Sequence, residues 1–201
     1  QTGTSVSFTD SAKAGNARFE LTGDGNLTFN DASSAENATI VAAGTSDVTL
    51  SSGTASLGSA TVNMIGSGGR LRFFDQTRGD QARLTLSNGS TFLVQTTADT
   101  DIGSIAGTGT VSIVSAVRLT VGGNGDSTTF SGQITGDGSI AKAGAGTWTL
   151  SGNNTYGGGT TINAGTLSIS ADANLGSSAL ALGGGTLQTT ASFTTTRATT
   201  L

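Results

Sequence analysis

Short runs in which apolar and polar residues alternate return along this chain at an almost constant interval, and that recurrence limits the possible folds more than any other feature. Strand-like openings fall at Val6-Ser7-Phe8, Leu27-Thr28-Phe29, Val48-Thr49-Leu50, Leu71-Arg72-Phe73 and Phe92-Leu93-Val94. The spacing is even throughout, with the step from Val48 to Leu71 slightly longer than the others. A second run follows each of the first four: Ala17, Phe19, Leu21; Ala38, Ile40, Ala42; Ala60, Val62, Met64; Ala82, Leu84, Leu86. Alternation with period two sends one set of side chains inward and the other outward, as in a half-buried strand. One such rung has too little apolar surface to fold alone, whereas stacked copies share a narrow core and hydrogen-bond to one another. The expected fold is therefore all-β, a right-handed parallel β-helix (β-solenoid) with rungs of about 21 residues, its hand following from the crossover rule for parallel strands. At ~4.8 Å per coil, some nine coils make a rod roughly 45 Å long.

Composition fits such a narrow core: 34% of residues are hydrophobic, 5% aromatic, and there are 32 Gly and no Pro in 201 residues. A central strand bonded on both sides cannot lose an N–H to proline, and Gly and Asn supply the positive-φ corners that coils need. Asp10, Asp31, Ser52 and Asp75 stand between the two runs, and Asn16, Asn37, Ser59 and Gln81 precede the second. Short polar side chains there are expected to satisfy turn backbone groups locally. Phe8, Phe29 and Phe73 mark an aromatic stack along the rod. Residues 1–101 read as regular rungs. Residues 102–201 read as a Gly-rich continuation of the same solenoid, with tighter spacing that suits either shorter coils or mixed hairpins.

The chain has no His and no Cys. That removes imidazole relays, thiol nucleophiles and the usual zinc ligands, and no metal or cofactor is expected. A net charge of -4, with Lys13 and Lys142 the only lysines, offers no cationic surface to nucleic acid. No apolar run reaches the ~18–20 residues of a membrane span. Thirteen acidic residues leave open a polysaccharide-acting enzyme with two carboxylates in a groove, although the aromatic content is low for sugar platforms.

From Gly136 the sequence becomes dense in fixed-looking positions: Gly136, Gly138, Ile140 and Lys142 alternate, followed by Gly144-x-Gly146-Thr147, then Trp148-Thr149-Leu150-Ser151-Gly152-x-Asn154-Thr155-Tyr156, and Ala164-Gly165-Thr166-Leu167. This stretch, 136–167, resembles the passenger-associated transport repeat of bacterial autotransporters, with Ile140 where Leu is commoner. Ala173-Asn174-Leu175-Gly176 and Gly184-Gly185-Thr186-Leu187 look like the spacer between tandem copies. The resemblance implies a right-handed parallel β-helix displayed outside the outer membrane, with a signal peptide and a C-terminal β-barrel translocator elsewhere in a longer parent chain, so that Leu201 is expected to be an internal point. It implies a non-enzymatic passenger segment, a stalk or adhesive surface for adhesion or self-association, whose partners would be a host-cell receptor or another copy of itself. The repeat would aid folding and export. A pure spacer or fold nucleus is the alternative within this class.

Among local features, Arg78-Gly79-Asp80 is the most pointed: a guanidinium and a carboxylate separated by Gly, the tripeptide of integrin ligands, predicted on an exposed corner. The matching corner of the first rung reads Lys13-Ala14-Gly15, which favours a solvated turn. Gly122-Gly123-Asn124-Gly125-Asp126 is similar to a calcium-binding glycine-rich nonapeptide but has Asp126 one position early and no second copy. Asp99 and Asp101 could share a cation, though two carboxylates fall short of calcium's 6–8 oxygen ligands. Trp148 and Tyr156 could form a sugar-stacking platform or plug the core, and Lys142 could pair with Asp137 across a turn. Thr-x-Thr triplets such as Thr147-Trp148-Thr149 do not recur at the rung period, which argues against a stacked, ice-binding ladder.

Overall fold

A strand in a parallel stack exposes unpaired N–H and C=O groups until a neighbour covers them, and here every coil covers the one before it. The computed structural model describes residues 4–87 and 89–201. Three parallel sheets run along the rod, with seven, nine and six strands. The first begins with Ser5–Phe8, Asn26–Phe29 and Asp47–Leu50 and ends at Gln133–Gly136. The second runs from Arg18–Leu21 through Thr39–Ala43 and Thr61–Ile65 to Thr186–Thr189, one strand for each of nine coils. On the third side the early coils contribute single bridges, Lys13 to Ser34 to Ser56 to Arg78. Continuous strands start there only at Thr100–Ile102.

Register follows the sequence intervals. Val6 lies beside Leu27, Leu27 beside Val48, Val48 beside Leu71, and Leu71 beside Phe92. The same column continues from Phe92 to Val111 and from Val111 to Ile134, a shorter coil followed by a longer one. Every pairing in the second half is parallel, which selects coils of varying length over mixed hairpins. Inward columns of Leu, Val, Ile and Phe are almost fully buried in one continuous core. The aromatic stack is interrupted: Phe8 stacks on Phe29 at 5.0 Å, and Phe73 meets Phe92 edge-on at 4.8 Å, but Leu50 separates Phe29 from Phe73 in the same column. Thr147 and Thr149 do stack, on Thr166 and Ser168. The partners differ enough in sequence to hide the ladder.

Corners are closed by neighbouring coils more than by local bonds. Asp10, Asp31 and Asp75 adopt left-handed φ of 58°, 59° and 54°, which short polar side chains tolerate. The Asp31 carboxylate accepts the Asp10 N–H at 3.0 Å, Ser52 accepts the Asp31 N–H at 3.2 Å, and Asp75 accepts the Gly53 N–H at 2.8 Å. The side chains of Asp31, Ser52 and Asp75 thus satisfy the coil before their own, where sequence alone suggested a local turn, and only Asp10 keeps a local contact, with the Thr9 hydroxyl.

Where the first sheet stops, asparagines take over. Asn154 Oδ1 accepts the Ile134 N–H at 2.8 Å, and its Nδ2 donates to Asn174 O at 2.6 Å. Asn174 in turn donates to Gly152 O and accepts the N–H groups of Ser170 and Ala171, holding a short 3-10 turn at Asp172–Leu175. Beyond it the Arg197 guanidinium grips the Asp172 carboxylate through two nitrogens at 2.7 and 2.9 Å and reaches the carbonyls of Asp172, Gly176 and Ser178.

Two outcomes are expected. A Cβ at Gly152 would overlap the Gly132 carbonyl, whereas at Gly15 nothing lies within 4 Å and only a φ of +62° opposes a side chain. Gly152→Ala should therefore cost about 3 kcal/mol or more in urea unfolding, and Gly15→Ala about 1–2 kcal/mol. Arg197 holds the Asp172 carboxyl below its usual range. That pair contributes stability above the ordinary Asp value of about 3.9 and loses it as pH falls from there through the lowered folded value. The Leu180 amide, which donates to Ala198 O, should shift in that window in NMR titrations, and Asp172→Asn should abolish the shift.

Candidate functional site

Two regions collect the residues of interest: the corner at Arg78–Asp80 and the stretch 136–167. At the first, Lys13, Ser34, Ser56 and Arg78 stack in one column of bridges, which puts Arg78 at a recurring position of the coil. Arg78 points outward and is exposed, Gly79 points inward and is buried, and Asp80 is half-buried with φ 48°. The strand below fixes the backbone: Gly79 N–H donates to Asp101 O at 2.9 Å, and Asp80 N–H to Asp101 Oδ1 at 3.0 Å. A Cβ on Gly79 would crowd Asp101 O and Ile102, so only glycine fits this approach. Arg78 opens onto a shallow groove of about 190 Å³ walled by Asp99, Thr100, Asp101 and Thr120. Burial raises the Asp101 carboxyl above its ordinary value; the Asp80 N–H opposes this and the Asp80 charge adds to it. Among the described residues Arg78 has no carboxylate within 4.0 Å.

The proposed cation ligands are otherwise engaged. Asp99 pairs with Arg118 at 2.6 Å, and Asp101 caps Asp80. Asp126 takes Arg83 Nε at 2.7 Å and Asn124 Nδ2 at 3.0 Å, so the Gly122–Asp126 loop folds back against an earlier coil. Among the described residues no group of three or more His, Cys, Asp or Glu is placed to hold a metal ion.

In the second region most side chains point inward. Trp148 and Tyr156 are 1% and 0% exposed, which rules out a sugar platform: neither ring has a face in solvent. Trp148 Nε1 donates across an intervening coil to Ile105 O at 3.1 Å. Thr160 gives its hydroxyl proton to Leu175 O, so the Tyr156 hydroxyl, 2.6 Å away, donates to Thr160. Burial pushes the Tyr156 hydroxyl up to about 12. Leu150 and Leu167 join the core, and Asn154 heads the asparagine ladder. Gly136, Gly138, Gly146 and Gly165 each sit where a Cβ would strike the backbone of the preceding coil. Lys142 is fully buried; its amine donates to backbone carbonyls, not to Asp137.

The three parallel sheets, the stacked corner glycines and the inward-facing repeat define a β-solenoid. The Passenger-associated-transport-repeat family matches at residues 19–45 and 140–169. Over 139 residues, 68% of this chain, the sequence is 32% identical to the adhesin BmaC autotransporter of Brucella suis biovar 1 (strain 1330). The aligned stretch spans only 4% of that adhesin's length. No solved structure matches the chain. The chain is an autotransporter passenger segment.

The match at 19–45 escaped the sequence analysis although its signal is present. Gly23-x-Gly25-x-Leu27-Thr28-Phe29 parallels Gly144-x-Gly146-x-Trp148-Thr149-Leu150, and Ala43-Gly44-Thr45 parallels Ala164-Gly165-Thr166, with the same separation between the two parts in each copy. In both copies the second glycine stacks on the first: a Cβ on Gly44 would approach Gly23 O, and one on Gly165 would overlap Gly144 O. The motif therefore measures one complete coil. The copies start at different corners, since Gly23 leads into the first sheet and Gly144 into the second.

If Trp148 is a core plug, Trp148→Ala should cost about 3–5 kcal/mol in urea unfolding. Trp148→Phe should cost about 1–2 kcal/mol, since Thr128 Oγ1 still donates to Ile105 O. The single-tryptophan emission of the native chain should be blue-shifted and move red on unfolding.

Proposed function

We propose that this segment is a non-enzymatic adhesive stretch of a rod displayed on the bacterial surface. The observation that carries the proposal is the similarity to an adhesin across 68% of the chain. The side-chain chemistry agrees: carboxylates at Asp47, Asp99, Asp126 and Asp172 are held by arginines, and the chain has no histidine or cysteine. In the parent protein a C-terminal β-barrel translocator tethers the rod to the outer membrane. The partner is a host-cell receptor or a second copy of the rod, with many weak contacts multiplied along the axis and between copies. Arg78 and Asp80 are the contact offered to a receptor of the integrin type. The 136–167 repeat, whose Trp148, Leu150, Tyr156 and Leu167 fill the core, acts as a nucleus on which neighbouring coils stack during export.

The test uses the parent protein with its barrel and compares adhesion per displayed molecule with and without residues 1–201. Adhesion per molecule is expected to fall while display persists. Unchanged adhesion would make the segment a spacer, and collapsed display would make folding and export its main task. Asp80→Glu should reduce binding to integrin-bearing cells; unchanged binding would remove the corner from the contact. Deleting 136–167 should slow refolding and lower display.

A further inference from the structure

Among the described residues the most deeply buried cation has no anionic partner. Lys142 is 0% exposed, and its Nζ donates to Ala143 O at 2.5 Å, Gly144 O at 3.0 Å and Ala164 O at 3.3 Å. Among the described residues no carboxylate lies within 4.0 Å of it. Burying a charge so is strongly unfavourable unless dipoles or charges replace its water. Here three carbonyl dipoles do so.

Those carbonyls need a donor as much as the amine needs acceptors. Earlier in the rod, on the same side, the ladder supplies one: Gly15 O accepts the Asn37 N–H, Glu36 O that of Ser59, and Gly58 O that of Gln81. In the first repeat copy, Gly23 O accepts the N–H and hydroxyl of Thr45. The carbonyls of Ala143, Gly144 and Ala164 accept no backbone N–H among the described residues. These carbonyls flank the stacked column of Gly122, Gly144 and Gly165, with φ of +110°, +64° and +62°. A Cβ on Gly144 would overlap Gly122 O, and one on Gly165 would overlap Gly144 O, so the backbones of successive coils approach closely at this corner. The position matching Lys142 in the first copy is Leu21.

We propose that this corner is a backbone-carbonyl site for a monovalent cation, that the Lys142 ammonium is its resident ion, and that the ammonium joins the coil carrying Gly144 to the next coil through Ala164. Carbonyl oxygens that replace an ion's hydration shell accept potassium and ammonium alike. The proposal stands on this geometry and does not depend on the adhesive reading.

Three measurements test it. In the unaltered chain, NMR of the lysine ammonium groups should show a slowly exchanging Lys142 signal at neutral pH beside a fast-exchanging Lys13; equal exchange would overturn the proposal. Lys142→Ala should lower the melting temperature by roughly 5 °C or more, and ammonium or potassium chloride should restore part of it where choline chloride at equal ionic strength does not. Equal effects of the three salts would overturn it. Should that variant fail to fold, Lys142→Met keeps the stem and removes the charge: it should melt below the unaltered chain and gain nothing specific from ammonium, and a melting temperature equal to the unaltered chain would overturn the proposal.

Discussion

The parallel backbone ladder between successive coils is the interaction on which the rest of this structure depends. Each coil is both the floor of the one above and the partner that satisfies its N–H and C=O groups, so no coil has a folded state apart from a neighbour. The inward columns are a consequence. Because register places Val6, Leu27, Val48, Leu71 and Phe92 in one file, a chain only 34% hydrophobic closes a core with almost no apolar residue wasted on the surface. Exposed faces are then free to be polar.

Corners are where the ladder is hardest to maintain, and the chain solves them in four ways. Asp31 and Asp75 lend a carboxylate to the preceding coil. Gly122, Gly144 and Gly165 let carbonyls stack closer than any Cβ would permit. Asn154 and Asn174 extend a ladder through side chains where a strand has ended. Lys142 supplies a cation where no N–H arrives. These are different responses to one requirement, that buried backbone groups be paired.

Much of the fold was legible in the sequence because a period of about 21 residues with inward alternation has few physical interpretations. The second half was harder: its coils change length, the one from Phe92 to Val111 being shorter than the one from Val111 to Ile134, so spacing alone did not separate coils from hairpins. Side-chain fates were less legible than strand positions. Asp10 and Asp31 looked like local turn residues, since a reading of near neighbours in sequence says nothing about contacts made one whole coil away. Trp148 could be read as platform or plug until its nitrogen was placed against Ile105 O. Lys142 looked like a surface partner for Asp137, because lysine is rarely buried whole. The first transport repeat was missed since its Leu27 and Phe29 had already been explained as rungs, and the repeat hides within the period it shares.

The contacts that skip a coil give the rod an uneven mechanical character. In a simple solenoid pulled along its axis, coils would peel away one by one, each holding only its neighbour. Trp148 reaches past one coil to Ile105, and Arg83 reaches past the same kind of gap to Asp126. These two ties overlap, binding the coils between Arg83 and Trp148 into a block that must yield together under tension. Coils on either side of that block, tied only to their neighbours, would stretch first and the block would bear the load.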